Sequence, residues 1–446
     1  MTDYRLHPID ETSRARLAEQ GLTLDVLDGL DTSEAAIARY DAWTQADARG
    51  FHGARLSKDA LALQRSGVGD RRTTGVWDES THNRLAPVAT VNSWPTEVSV
   101  PGDRVITGWA ISSVTVSPTH KRRGIARSLL EAELRTASAL GVPVAMLTVS
   151  ESTLYGRYGF GPAALATDWV IDPRRARPLR RASDAGRVEF VPLKDFRAEV
   201  QPLHERVRPT KPGEVAVWPT RWDQISALTV GQEVEATKLR AVRYLDADGV
   251  VQGVAAYSVS GGEEDFTQHQ VEVKYLLDAT PEAYAALWSF VLELDLITEV
   301  RARLRSVDEP LRWMLADFRA AKVSTVEHEY VRVLDVPAAF EARGFEAAGS
   351  LALALEVEDS HGFADGTWLI EADASGTATV RAVDEAPAGI PMLSLGVSEL
   401  STLYLGGVSA VTLAAAGRVH ERAAGDAAAA DALLRSPVPP HLSVWY

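Results

Sequence analysis

The chain has 446 residues, 46% of them hydrophobic and 24% charged, with 32 Gly and 22 Pro. At about 150 residues per domain that is enough chain for roughly three domains, and the composition excludes disordered, collagenous and coiled-coil classes. Asp and Glu outnumber Lys and Arg by 61 to 46, so the basic footprint of a nucleic-acid partner is missing, and with no Cys there is no disulfide, thiolate metal site or cysteine nucleophile.

The first twenty residues carry charges throughout and hold no apolar run of signal-peptide length, and no later stretch reaches 18 uncharged apolar residues. A soluble, cytoplasmic chain with no membrane partner is therefore expected. Along region one, a helix over 33–48 precedes a strand pair, Thr74 to Trp77 and Leu85 to Trp94, and then the extended run Ile106 to Ser117. A helix from Gly124 to about Leu140 follows, its apolar positions Ile125, Leu129, Leu130, Leu134 and Ala137 keeping a helical period, and then a strand from Val144 to Val149. The region closes at Trp169-Val170-Ile171. The basic, twice-proline stretch Pro173 to Arg181 has no apolar period and reads as a solvated linker.

Region two opens on the strand Val188 to Val191. It continues with a hairpin, Leu239 to Tyr244 and Val250 to Val259, turned at Asp246-Ala247-Asp248-Gly249. A strand from Gln270 to Leu277, a helix after Thr280-Pro281 and a strand from Val300 to Leu304 complete it. The order of elements repeats that of region one, which points to an internal duplication. Region three alternates Leu351, Leu353, Leu355 and Val357, adds strands at Trp368 to Ala372 and Thr377 to Val383, and ends in two Ala-rich helices within 398–435. It reads as α+β, strands first. The domains expected are 1–172, 188–334 and 335–446.

The chemistry concentrates in region one. A strand ends at Ser117-Pro118, the basic turn His120-Lys121-Arg122-Arg123-Gly124 follows, and a helix opens at Ile125. Backbone N–H groups and the positive dipole end of such a helix attract an anion, Gly allows close approach, and Lys and Arg add charge for phosphates. A solvated basic turn leading into a surface helix is the alternative. Region two has Asp278-Ala279-Thr280-Pro281 at the corresponding place, without the basic turn.

A second segment, Glu151 to Pro162, contains Tyr155-Gly156-Arg157-Tyr158-Gly159-Phe160. Together with Val114, Val116, Pro118, Lys121, Arg122, Gly124, Ile125 and Ala126 it resembles the GNAT superfamily of acyl-CoA-dependent N-acetyltransferases. More narrowly, these motifs, the length and Leu403-Tyr404-Leu405-Gly406-Gly407 in region three resemble the enhanced intracellular survival (Eis) family. The resemblance covers nearly the whole chain. It implies two tandem GNAT-like mixed-sheet α/β domains, the first catalytic and the second degenerate, followed by an α+β domain similar to sterol carrier proteins. The assembly it implies is a homohexamer, a dimer of trimers.

The cosubstrate implied is acetyl-CoA, its pantetheine along the backbone of Val114 and Val116 and its pyrophosphate on Lys121, Arg122, Arg123, Gly124, Ile125 and Ala126. Tyr155 matches the family's general acid, with Tyr158 as the rival donor. An ordinary tyrosine is protonated at neutral pH and able to donate. Ile106 to Ser117 contains no Asp, Glu or His, so either the base comes from elsewhere or the amine loses its proton to water. The family's answer is the free carboxylate of the last residue, here Tyr446 at the end of a proline-stiffened segment; a frayed terminus is the alternative.

The acceptor implied is an amine of a cationic small molecule, with aminoglycosides, polyamines and lysine side chains as the classes in view. Members carry an acidic residue beside the last one, where this chain has Trp445, so one cation contact is lost. Trp43, Phe51 and His52 are candidate pocket walls by position, although such residues are more often core, and Trp445 joins them. His204, His269 and His328 are isolated, so no metal is expected. The competing function class is a lipid-binding protein that uses region three, with the GNAT-like domains as scaffold.

Overall fold

The computed structural model describes residues 3–180, 186–346 and 351–446. They form two compact units: the segments up to Ala163, from Glu329 to Ser436, and Tyr446 make the first, and Ala164–His328 with Pro437–Trp445 make the second.

The first unit begins with α1 (Glu11–Ala18), β1 (Leu22–Leu27), α2 (Glu34–Gly50) and α3 (Lys58–Val68). Ser33 and Ser57 start the last two helices by accepting from Ala36 N and Ala60 N, which satisfies N–H groups that have no intrahelical partner. An antiparallel meander follows, β2 (Arg72–Asp78), β3 (Ala89–Val100) and β4 (Arg104–Val116), then α4 (Ile125–Ala139), β5 (Val144–Thr148) and the short α5 (Ser152–Tyr155). The second strand of the expected pair starts at Ala89, not Leu85, because the Leu85 carbonyl receives the Trp77 indole N–H at 3.0 Å and stays in the turn.

β5 runs parallel to β4 over Gly108–Ala110 and Val144–Met146 only. The helical period of α4 sets the core here: Leu129, Leu130 and Leu134 pack with Trp109, Ile111, Ala145 and Leu147, so these residues cover one face of the sheet. By strand alternation Ala110, Met146 and Thr148 point to the other face.

The chain leaves this sheet along β6 (Gly161–Ile171) and enters α6 (Pro173–Ala176). The linker reading is corrected at α6: Asp172 caps it by accepting from Arg174 N, and Ala176 is completely buried. Arg181 lies outside the described residues. The second unit contains β7 (Arg187–Val191), α7 (Leu193–Val207), α8 (Pro219–Ile225), α9 (Glu233–Lys238), β8 (Leu239–Leu245), β9 (Val251–Gly261), β10 (His269–Asp278), α10 (Pro281–Leu292), β11 (Ile297–Arg305) and α11 (Leu311–Met314). β8, β9 and β10 are antiparallel, and β10 pairs in parallel with β11 across α10, which Thr280 caps and Pro281 opens as expected. This repeats the β2–β3–β4–α4–β5 pattern, as the order of elements in the sequence suggested.

β12 (Ala321–Val333) ends in the first unit, where Glu329–Val333 pair antiparallel with Thr148–Val144. α12 (Val336–Ala342) leads to a sheet ordered β15-β14-β13-β16-β17, from β13 (Leu351–Glu358), β14 (Gly366–Ala372), β15 (Ala378–Ala382), β16 (Met392–Gly396) and β17 (Val419–Glu421). Three helices accompany it, α13 (Val397–Tyr404), α14 (Ala410–Ala415) and α15 (Asp426–Leu434), where the sequence suggested two. The sequence pattern also missed β16. Its five residues alternate only between buried and half-buried, too weak a period to read, yet it pairs in parallel with the central β13.

Candidate functional site

The site is built where β4 and β5 part. Beyond Ala110 no residue of β4 pairs with β5, and β4 runs on for six residues with that edge open. A bulge helps to turn it: Asn92 and Thr90 on β3 face Ser112 and Thr115 on β4, one residue more on the β4 side, and Ser113 sits at φ +57°. Val114 and Val116 lie past the bulge on the open stretch, both half-buried.

The basic turn closes the far end. Gly124 precedes α4 at φ +74°, a left-handed conformation that an L side chain adopts only at a cost, and no side chain caps the helix. A Cβ added at Gly124 would meet nothing within 4 Å. Glycine is thus required by the backbone angle, and the space over it is open to a ligand. The N–H groups of Ile125 and Ala126 start a helix of 15 residues with no side-chain oxygen on them, an arrangement that fits a pyrophosphate.

Lys121 and Arg122 are exposed beside this point, whereas Arg123 donates to the Gln20 carbonyl at 3.1 Å and lies 3.8 Å from Asp78. Arg123 and His120, whose Nε2 is 3.1 Å from Asp78, pin the turn to the end of β2. A cavity of about 90 Å³ is bordered by Val116 and Lys121 together with Arg49, Gly50 and His52, so the C-terminal end of α2 flanks the turn.

Tyr155 is 4% exposed at the end of α5, its ring edge-on to Phe160 and Tyr330. Burial pushes its phenol above the ordinary tyrosine value, and a hydrogen bond with Ser150 opposes this in part. Tyr158 is also buried and also raised, by desolvation and then by the negative charge of Glu131; its ring lies beside His361.

The chain end is docked. Thr148, the last residue of β5, donates its hydroxyl to the main-chain oxygen of Tyr446 at 2.7 Å. The Tyr446 ring lies edge-on to Trp94 at 5.8 Å between centroids, on the sheet face away from α4. Its phenol is raised far above the ordinary value by burial and then by the carboxylate of Glu329, the cross-strand partner of Thr148.

The remaining expected pocket residues separate. Trp43 is in a small core with Leu27 and Trp77, 2% exposed, its indole N–H satisfied by the Thr74 carbonyl at 2.8 Å. Phe51 is exposed at the end of α2. Trp445 is in the second unit, half out in solvent and stacked edge-on to His328 at 4.7 Å.

Sequence reading missed Asp47. It lies one helical turn beyond Trp43 on α2, next to Ser113 at the bulge. Burial raises its carboxyl to about 6, against a hydrogen bond from Ser113, and its Oδ1 is buried with no hydrogen-bond partner. Its spacing from Trp43 was a legible signal, being one face of the helix. Among the described residues no cluster of His, Asp and Glu could hold a metal ion. A cavity of about 540 Å³ in region three is bordered by Glu356, Glu358, Asp365, Arg418 and His420, a polar lining that does not suit a lipid.

Comparison with known proteins places these parts. Residues 31–163 and 214–333 each match an acetyltransferase (GNAT) domain, and 336–443 match a sterol carrier protein domain. An uncharacterized N-acetyltransferase of Streptomyces avermitilis is 37% identical over 417 residues, covering 92% of this chain and 97% of its own. The N-acetyltransferase Eis of Mycobacterium tuberculosis is 31% identical over 348 residues, 77% of this chain and 81% of its own. The crystal structure of Eis1 from Mycobacterium abscessus superimposes with a TM-score of 0.78 at 25% identity, covering 95% of this chain and all of that one. With two GNAT domains followed by a sterol carrier protein domain, and relatives of this identity along most of its length, the chain belongs to the Eis-like family of GNAT N-acetyltransferases.

Proposed function

We propose that this N-acetyltransferase uses acetyl-CoA, bound in the open fork of β4 and β5, to acetylate an amine of a cationic small molecule, and that the carboxylate of Tyr446 takes the amine's proton. The observation that carries this reading is the 2.7 Å hydrogen bond from Thr148 to the main-chain oxygen of Tyr446, at the tip of the strand that forms one side of the fork. Val114 and Val116 offer backbone groups to pantetheine; the N–H groups of Ile125 and Ala126 take the pyrophosphate. Lys121 and Arg122 supply charge, and Arg123 and Gly124 hold the shape of the turn.

In transfer, the amine nitrogen bonds to the acetyl carbon and the carbon–sulfur bond breaks. Tyr155, kept protonated by burial, donates to the departing sulfur, while the Tyr446 carboxylate accepts the proton from nitrogen directly or through one water. Asp47, ionised above about pH 6, places a negative charge beside the bulge and supports a cationic acceptor such as a polyamine, an aminoglycoside or a lysine side chain. A homohexamer is the assembly that the family likeness supports; no helix among the described residues is long and apolar enough to cross a membrane. Thiol release from acetyl-CoA, run against a panel of these amines with mass spectrometry of the products, tests the reading. Acetylated amine supports it, and acetyl-CoA binding without transfer to any amine of the panel contradicts it.

A further inference from the structure

The second unit repeats the fork but not its use. β10 and β11 pair in parallel from His269 to Val273 and from Ile297 to Ala302, and β10 then continues to Asp278 paired with β9 but not with β11. Here the gap is bridged. Arg305, on β11, donates to the Leu276 carbonyl on β10 at 3.0 Å and is paired with Glu309 at 2.7 Å. The chain's own C-terminal segment borders the rest: a cavity of about 370 Å³ is lined by Asp278, Thr280 and Arg305 on the strand side and by Val438, Pro439, His441 and Ser443 on the other.

The contacts of that segment centre on one buried carboxylate. Glu214 is 2% exposed; its Oε1 is 3.1 Å from His441 Nδ1, and its Oε2 accepts from the Ser443 hydroxyl at 3.0 Å and lies 3.5 Å from His204 Nε2. Burial alone would raise the Glu214 carboxyl, but hydrogen bonds from His204 and His441 outweigh it and hold the group well below the usual range. The other ring nitrogen of His441 is 2.7 Å from the Leu304 carbonyl on β11, and its backbone N–H donates to the Pro212 carbonyl at 2.8 Å. Both ring nitrogens thus face acceptors. Leu442 and Val444 are buried between these anchors, and the Val444 carbonyl lies 3.0 Å from His328 Nε2.

We propose that Glu214 is a positioning residue: with His441 and Ser443 it latches the C-terminal segment into the fork of the second GNAT domain and so limits where the Tyr446 carboxylate can stand. His441 is five residues from the end, a tether of at most about 18 Å; measured from Ser436, whose N–H donates to Gly406, the tether is about twice as long. On this view the second domain keeps its fork as a receptor for the chain's own end. The proposal rests on the catalytic reading of Tyr446 only for its effect on turnover, not for the latch itself.

Carboxypeptidase release of Tyr446 from the untagged full chain tests the latch without reference to catalysis. Glu214→Gln and His441→Gln should release tyrosine at least tenfold faster than the parent, with acetyl-CoA affinity unchanged and kcat lowered. Glu214→Asp should recover part of both losses, and Ser443→Ala should speed release a few-fold. Release as slow as the parent's in folded Glu214→Gln overturns the latch; if that variant does not fold, the same result in Ser443→Ala does. Faster release with undiminished kcat supports the latch and refutes instead the part given to the carboxylate in transfer.

Discussion

Thr148→Val removes one hydroxyl from the end of β5 while keeping shape and strand preference. That hydroxyl donates at 2.7 Å to the main-chain oxygen of Tyr446, an oxygen of the carboxylate in the proposed mechanism. A neutral donor on a charged acceptor contributes about 1.5–3 kcal/mol, so if the bond holds the carboxylate in its working position, turnover should fall roughly 10- to 150-fold. Release of the CoA thiol can be read with a thiol reagent against no protein background, because the chain has no Cys. Acetyl-CoA affinity, measured by calorimetry, should not move. The same substitution in a chain lacking Tyr446 should cost nothing further, since its partner is gone. A loss as large in the shortened chain as in the full one would mean that Thr148 acts on something other than the chain end, and the reasoning would fail.

Tyr155→Phe should lower kcat by roughly 10² to 10⁴ with little change in acetyl-CoA affinity, and Tyr158→Phe far less; equal losses in steady-state kinetics would refute the assignment of the acid. Gly124→Pro cannot adopt φ +74° and should abolish acetyl-CoA binding in calorimetry, whereas Lys121→Ala, which removes charge alone, should only weaken it. Asp47→Asn should separate stability from function. Burial lifts the folded-state carboxyl from 3.8 to about 6, so ionised Asp47 penalises the fold: the penalty is absent below about pH 4 and grows as pH rises to 6. Its ceiling is about 3 kcal/mol, and less where solvent reaches the side chain. The Asn variant should therefore be more resistant to denaturant at pH 7 than at pH 4 relative to the parent, while its KM for a cationic amine rises.

Much of the fold was legible because each sheet of the duplicated pattern is punctuated by strong local signals. The period of α4, the Asp246-to-Gly249 turn and the Thr280-Pro281 start all act within a few residues, and all appear as read. The bulge at Ser113 was not legible, because it depends on the register between β3 and β4 and not on the identity of one residue. Trp43 illustrates a different limit. A tryptophan on a helix near a pocket and one in a core have the same sequence signature, and only the Thr74 carbonyl on its indole tells them apart. The chain end was suggested by the family likeness. Its partners Thr148, Trp94 and Glu329 come from three distant strands, and no spacing along the chain brings them together.

The most direct measurement is turnover by untagged protein lacking only Tyr446, with acetyl-CoA calorimetry on the same sample and Tyr446→Phe as the companion. On the proposed mechanism the working group is the carboxylate and not the phenol, so the deletion should lose at least about 100-fold in kcat with acetyl-CoA binding intact, and the Phe variant should stay near the parent. Parent-level turnover in the one-residue deletion would contradict the account and leave water as the acceptor of the amine's proton.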